Sequence, residues 1–240
     1  ISVQELQAVT RARDYVRNAE HPGQVSTREH LLREWAIIRQ VTDGLGECHP
    51  LVFDYQNTNP QLDAEQRQAV ESILGSTHLV TLFRGGAGTG KSFALREVQH
   101  ELHKAGRVVH AIAPQRQQVL DLEKDGFQNV ETVSAFLTRR NLPARAVVLV
   151  DEAGQIGGKQ MHALLTLMQD QGGRVILSGD TRQHGAVEAT DALRAIEKHS
   201  GLQPIELTTI RRQNPALAKS VVERQRIKEY RQAVTEARDG

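Results

Sequence analysis

Apolar residues recur along this chain with two different periods, and the change between them divides it. Over residues 1–20 charged positions surround scattered apolar ones, which predicts a charged helix broken at His21-Pro22-Gly23. Ser26-Thr27-Arg28-Glu29 then has the form of an N-cap with a carboxylate on the first turn. Leu31, Leu32, Trp35, Ile38 and Val41 follow at helical spacing until Asp43-Gly44, predicting a second helix with that stripe as its packing face. From Cys48 to Pro60 the pattern is irregular, with two prolines and several Asn, and reads as a linker.

Beyond about Leu62 short apolar runs alternate with helical segments. Strands are expected over 79–83, 108–113, 146–150, 174–177 and 204–207, and helices over 91–104, 115–124, 159–169 and 190–199. This alternation predicts an α/β fold, a mostly parallel sheet flanked by helices, with a small helical region before it. Ligands then gather at the C-terminal ends of the strands.

Composition narrows the function classes. The 240 residues are 39% hydrophobic, and 30 Lys and Arg against 29 Asp and Glu leave a net charge of +1, so any basic footprint must be local. A single cysteine, Cys48, excludes an internal disulfide and a multi-cysteine metal site, and suits a reducing compartment, the cytoplasm by default. No apolar stretch approaches the roughly 20 residues that span a bilayer, so no membrane insertion is expected. The chain opens at Ile1 and not at Met, and the expectation is a fragment of a longer protein.

The strongest chemical signal is Gly85-Gly86-Ala87-Gly88-Thr89-Gly90-Lys91-Ser92, placed between an apolar strand and a helix. Glycines let backbone N–H groups wrap phosphates, the helix N-terminus adds a favourable dipole, Lys91 neutralises β/γ charge and the Ser92 hydroxyl can ligate Mg²⁺. Asp151-Glu152 follows the apolar run 146–150 directly, so both carboxylates emerge where this loop emerges. Asp151 is assigned to the Mg²⁺ shell and Glu152 to water activation. A third strand ends in Ser178-Gly179-Asp180-Thr181-Arg182-Gln183. The Gln183 amide can donate to a γ-phosphate oxygen and accept from the attacking water.

The ordered set Gln66, Gly85 to Ser92, Asp151 to Gln155, Gly179 to Gln183 and Arg211-Arg212-Gln213 resembles superfamily 1 helicases, especially their RecD-like 5′-3′ branch. Ser26 to Glu29 ahead of a long helix, Glu131 to Leu137, and Leu207 to Gln213 narrow the likeness to the helicase part of TraI-type (MobF) conjugative relaxases. The resemblance implies a RecA-like first motor domain over residues 61–213, a helical region and linker over 1–60, and a helical segment over 214–240 leading to a second motor domain. It implies ATP and Mg²⁺ as cofactors, single-stranded DNA as partner, and conjugative transfer or secretion machinery as a further one.

By the same resemblance Gln66 reads adenine, and Arg212, with Arg211 as fallback, contacts the γ-phosphate. Gln115, Arg116, Thr132, Ser134 and His184 contact DNA, although Gln115 stands where relatives carry threonine. Aromatic residues make up 4% of the chain, which favours backbone-led, sequence-independent binding. Residues 214–240 are too few for a second α/β domain, so the chain alone is expected to turn ATP over weakly and not to unwind DNA. Two other functions fit the same residues: a helicase-like recruitment or secretion-signal module, and a stand-alone P-loop NTPase.

Overall fold

A computed structural model of the chain describes residues 15–17, 25–86, 88–139, 142–179, 190–209, 225 and 229. Its centre is a sheet in which, among the described residues, six strands run parallel in the order β5-β4-β6-β7-β3-β8. These are β3 (Val80–Gly85), β4 (Val109–Ala113), β5 (Val130–Thr132), β6 (Val147–Val150), β7 (Arg174–Gly179) and β8 (Ile205–Leu207). Helices connect them: α2 (Ala64–Leu74) enters β3, and α3 (Lys91–Lys104), α4 (Arg116–Lys124), α5 (Val133–Arg139), α6 (Gly158–Asp170) and α7 (Thr190–His199) link the strands in turn. Parallel pairing forces these crossovers, and helices on both faces leave the strands buried on both sides.

The period of two along β6 shows how the two faces separate. Val148 and Val150 join a core with Leu82, Ile112, Phe136, Leu164 and Leu177, beneath α5, α6 and α7. Val147 and Leu149 join the opposite core with Phe83, Ala111, Ile73, Leu95 and Val98, beneath α2, α3 and α4.

The N-terminal region departs from expectation. Tyr15–Arg17 forms a strand, β1, paired antiparallel with β2 (Val25–Thr27), so the charged helix expected over 1–20 does not run through these residues. Helix α1 (Arg28–Asp43) does form, and Thr27 caps it by accepting from the His30 amide at 3.1 Å. Its buried face is Ile37 and Val41, packed on α6 and α7, while Leu31, Leu32 and Trp35 point outward. The expected stripe was therefore rotated: only Val41 of it is fully buried.

The irregular segment after α1 lies against the core. Leu51 and Leu62 are buried, the Cys48 amide donates to Thr77 O at 2.9 Å and the Val52 amide to Leu74 O at 3.0 Å. Arg174, buried at the start of β7, donates to His49 O at 2.8 Å and Ser76 O at 2.6 Å. Burial lowers the pKa of its guanidinium, and the two carbonyls it joins tie this segment to the sheet. No helix among the described residues is long and apolar enough to cross a membrane.

Candidate active site and nucleic-acid edge

The glycine loop closes on itself through contacts that only glycine leaves room for. A Cβ on Gly85 would lie 2.7 Å from Thr89 Oγ1 and 3.0 Å from Lys91 Cγ. Gly88 (φ 77°) and Gly90 (φ 86°) occupy the left-handed region that a side chain disfavours. Buried Thr89 donates its hydroxyl to Gly86 O at 2.9 Å. Gly90 caps α3 without a side chain, so the first N–H groups of the helix carry the positive end of its dipole to the loop. Lys91 Nζ folds over the loop and donates to Gly85 O, and Ser92 sits half-buried on the same turn.

Asp151 stands at the end of β6, one strand further from the loop than a direct neighbour, because β7 lies between β6 and β3. The intervening strand supplies Ser178, whose hydroxyl donates to Asp151 Oδ1 at 3.3 Å. Burial raises the Asp151 pKa above the ordinary aspartate value, against the lowering effects of the Lys91 ammonium, the Glu152 N–H and the Ser178 hydroxyl. The Lys91 ammonium thus acts electrostatically on the Asp151 carboxylate from the same end of the sheet. Glu152 follows at φ 50°, a left-handed conformation that strains a residue with a side chain, and opens a 3-10 turn over Ala153–Gln155.

This donor set fits a magnesium-bound triphosphate. The loop offers N–H groups and a cation for the phosphates, and Ser92 with Asp151 offers hard oxygens for the ion. No group of three or more His, Cys, Asp or Glu among the described residues is placed to hold a metal. Phosphate oxygens would complete the shell, as is usual for magnesium.

Gln66 is buried at the start of α2 against the glycine loop. It is 4% exposed, its Oε1 accepts from the Asp63 amide at 3.3 Å, and its Nε2 donates to Gly90 O at 3.4 Å. With Asp63 Oδ1 accepting from the Gln66 amide at 2.9 Å this makes a capping box, so Gln66 fastens the start of α2 to the glycine loop. Its neighbour Glu65 accepts from the Thr208 amide (2.6 Å), the Thr208 hydroxyl (2.7 Å) and the Thr209 amide (3.3 Å). That carboxylate binds the chain leaving β8 to the same helix end.

Of the expected DNA contacts, Gln115, Arg116, Thr132 and Ser134 are described, and they follow β4 and β5 along one edge. Gln115 and Arg116, both exposed, begin α4 just past β4, and Ala113 of β4 is in register with Thr132 of β5. Thr132 Oγ1 accepts from the Ala135 amide at 3.2 Å, and exposed Ser134 accepts from Gln160 Nε2 at 3.0 Å. The Asp151 amide donates to Ile112 O at 2.9 Å, which joins this edge to the carboxylate turn. Ala87, Gln183, His184, Arg211 and Arg212 lie outside the described residues. Ser178 and Glu65 had no assignment from sequence: a serine before a glycine and a glutamate in a first turn carry no signal of partners 27 and 143 residues away.

A family model described as an AAA domain matches residues 61–240. The conjugal transfer protein TraA of Agrobacterium fabrum is 34% identical over 160 residues, covering 64% of this chain and 14% of its own. The multifunctional conjugation protein TraI of Escherichia coli K12 is 26% identical over 214 residues (83% and 12%). The ATP-dependent RecD2 DNA helicase of Deinococcus radiodurans is 28% identical over 189 residues (75% and 23%). The chain therefore spans less than a quarter of the length of each of these relatives. Among solved structures, the Pif1 helicase from Candida albicans aligns with a TM-score of 0.43 and 24% identity over 63% of this chain and 41% of that one. The chain belongs to the AAA domain family, as a relative of the TraA and TraI conjugation proteins within the RecD-like branch of superfamily 1 helicases.

Proposed function

We propose that this chain is the ATP-binding first motor domain of a single-stranded-DNA-dependent 5′-3′ DNA helicase, within a conjugative relaxase that unwinds plasmid DNA for transfer. The observation that carries the reading is the glycine loop with Lys91 after β3 and Asp151 after β6 at the same end of the parallel sheet, with Gln115 and Arg116 following β4 at that end.

Magnesium-bound ATP supplies the phosphoanhydride and the charge that holds its phosphates in place. The chain's own residues do the rest. Backbone N–H groups of residues 86–91 and the Lys91 ammonium offset the negative charge that grows between the β- and γ-phosphates. Ser92 and Asp151 would hold a magnesium ion, and Glu152 orients the attacking water and accepts its proton. Gln183 and Arg212 take the γ-phosphate contacts that the family resemblance gives them, and Gln66 serves both the loop and the adenine edge. Single-stranded DNA is held without sequence preference by Gln115, Arg116, Thr132, Ser134 and His184. The second motor domain and the transfer machinery are partners of the proposed full-length protein.

Oligo-dT should raise ATP hydrolysis by that full-length protein, and Lys91→Ala should lower it about 100-fold or more, the usual effect of removing a charge-stabilising donor. Hydrolysis indifferent to DNA would sink the proposal. Duplexes with a 5′ or a 3′ single-stranded tail test direction, and unwinding confined to the 3′-tailed substrate reverses it.

A further inference from the structure

A glutamine amide oxygen has two lone pairs, and the structure shows both of those on Gln155 Oε1 in use. Gln115 Nε2 and Gln118 Nε2 each donate to it at 3.0 Å. Gln118 is in turn tied to Gln115, since its Oε1 accepts from the Gln115 amide at 2.9 Å. The three side chains make a closed polar knot between the first turn of α4 and the turn after β6.

The two ends of this knot have different surroundings. Gln115 is exposed at the edge proposed for DNA, whereas Gln155 is half-buried in the 3-10 turn, where its amide donates to Glu152 O at 2.9 Å. Glu152, the residue proposed to activate water, sits in the left-handed conformation at φ 50°. Such strain persists only where neighbours hold it, and Gln155 is one such neighbour: its amide bonds Glu152 O, while its side chain ties the same turn to α4.

We propose that Gln155 is a positioning residue that couples DNA at Gln115 to the conformation of Glu152. This rests on the proposed function. A phosphate or sugar oxygen of a bound strand competes for the Gln115 amide. Once Gln115 turns to the strand, Gln155 Oε1 keeps only Gln118, and the turn carrying Glu152 relaxes to a second arrangement suited to hydrolysis. Both sites bias one two-state element, which is the physical requirement for coupling between them.

The test is made on the full-length protein with oligo-dT, ATP and Mg²⁺. Gln155→Leu removes the acceptor at similar size, and Gln155→Glu keeps it. Expected for Gln155→Leu, which frees the turn as bound DNA does, are DNA-free hydrolysis raised about fivefold or more towards the parent's DNA-stimulated rate and stimulation by saturating oligo-dT reduced by the same factor, the lower end of ordinary coupling. Gln155→Glu should retain stimulation. A DNA-free rate that rises while stimulation falls is a change that a merely structural role does not produce, and stimulation lost with the DNA-free rate unmoved overturns the coupling. Parent-like stimulation in Gln155→Leu overturns the coupling and leaves the proposed function standing. Equal loss of DNA-free and DNA-stimulated rates also overturns it, by making Gln155 structural. A parent that oligo-dT does not stimulate overturns both readings.

Discussion

At the scale of single residues, the site holds a charge where a carboxylate is costly. Asp151 is half-buried, and desolvation raises its pKa despite Lys91, the Glu152 N–H and the Ser178 hydroxyl. A carboxyl whose pKa rises on folding binds its proton more tightly in the folded chain. Stability is therefore greatest below the unfolded value, about 3.9, and falls as pH rises from there through the raised folded value. Where Asp151 is ionised, its carboxylate is thus a burden on the fold. Asp151→Asn should melt above the parent at pH 7 when magnesium and nucleotide are absent, and that advantage should shrink as pH is lowered towards 4. A melting series by circular dichroism at several pH values checks this, and an Asn variant that melts below its parent at pH 7 contradicts it.

At the scale of elements, α1 shows why exposure cannot be read from spacing alone. Ile37 and Val41 are each 1% exposed against α6 and α7, whereas Trp35 and Leu32 are 58% exposed, with Arg39 stacked 5.3 Å over the Trp35 ring. Ile37→Ala should cost about 2–5 kcal/mol by leaving a cavity. Trp35→Ala should cost only about 0.5–1 kcal/mol, the worth of an exposed cation–π contact. Urea denaturation of the two variants separates them, and similar losses would mean that Trp35 is covered in solution.

The same helix marks what the sequence could tell. Two apolar stripes fit its periodicity, and which one meets the sheet depends on α6 and α7, which local spacing does not see. Helix 91–104 and helix 190–199 were legible to the residue because glycine or threonine opens them and apolar periodicity fills them. The β1–β2 hairpin was hidden because strands of three residues amid charges offer no alternation to count. In the site, the glycine loop and Asp151-Glu152 were legible because their chemistry is contiguous. Glu65, Ser178 and Gln155 act on partners far away in sequence, and only the fold brings those together.

At the scale of the whole molecule, the sheet gathers its chemistry at one edge while the surface as a whole stays near neutral, with a net charge of +1. A chain of this net charge offers no global field to draw in DNA, so under the proposed function the strand is held by what the edge offers. Gln115, Thr132 and Ser134 bring amides and hydroxyls, and among these described edge residues only Arg116 brings a full positive charge. Each phosphate neutralised by a cation releases counterions and contributes about −0.7 to the slope of log affinity against log salt for a single strand. Contacts from amides and hydroxyls release none. Anisotropy of a labelled oligo-dT titrated with this chain between 50 and 200 mM salt should therefore give a shallow slope, about −1 to −2, with Arg116→Ala lowering its magnitude by about 0.7. A slope of about −5 or steeper, unmoved by Arg116→Ala, would place the strand on another, basic surface and remove this edge from the proposed DNA path.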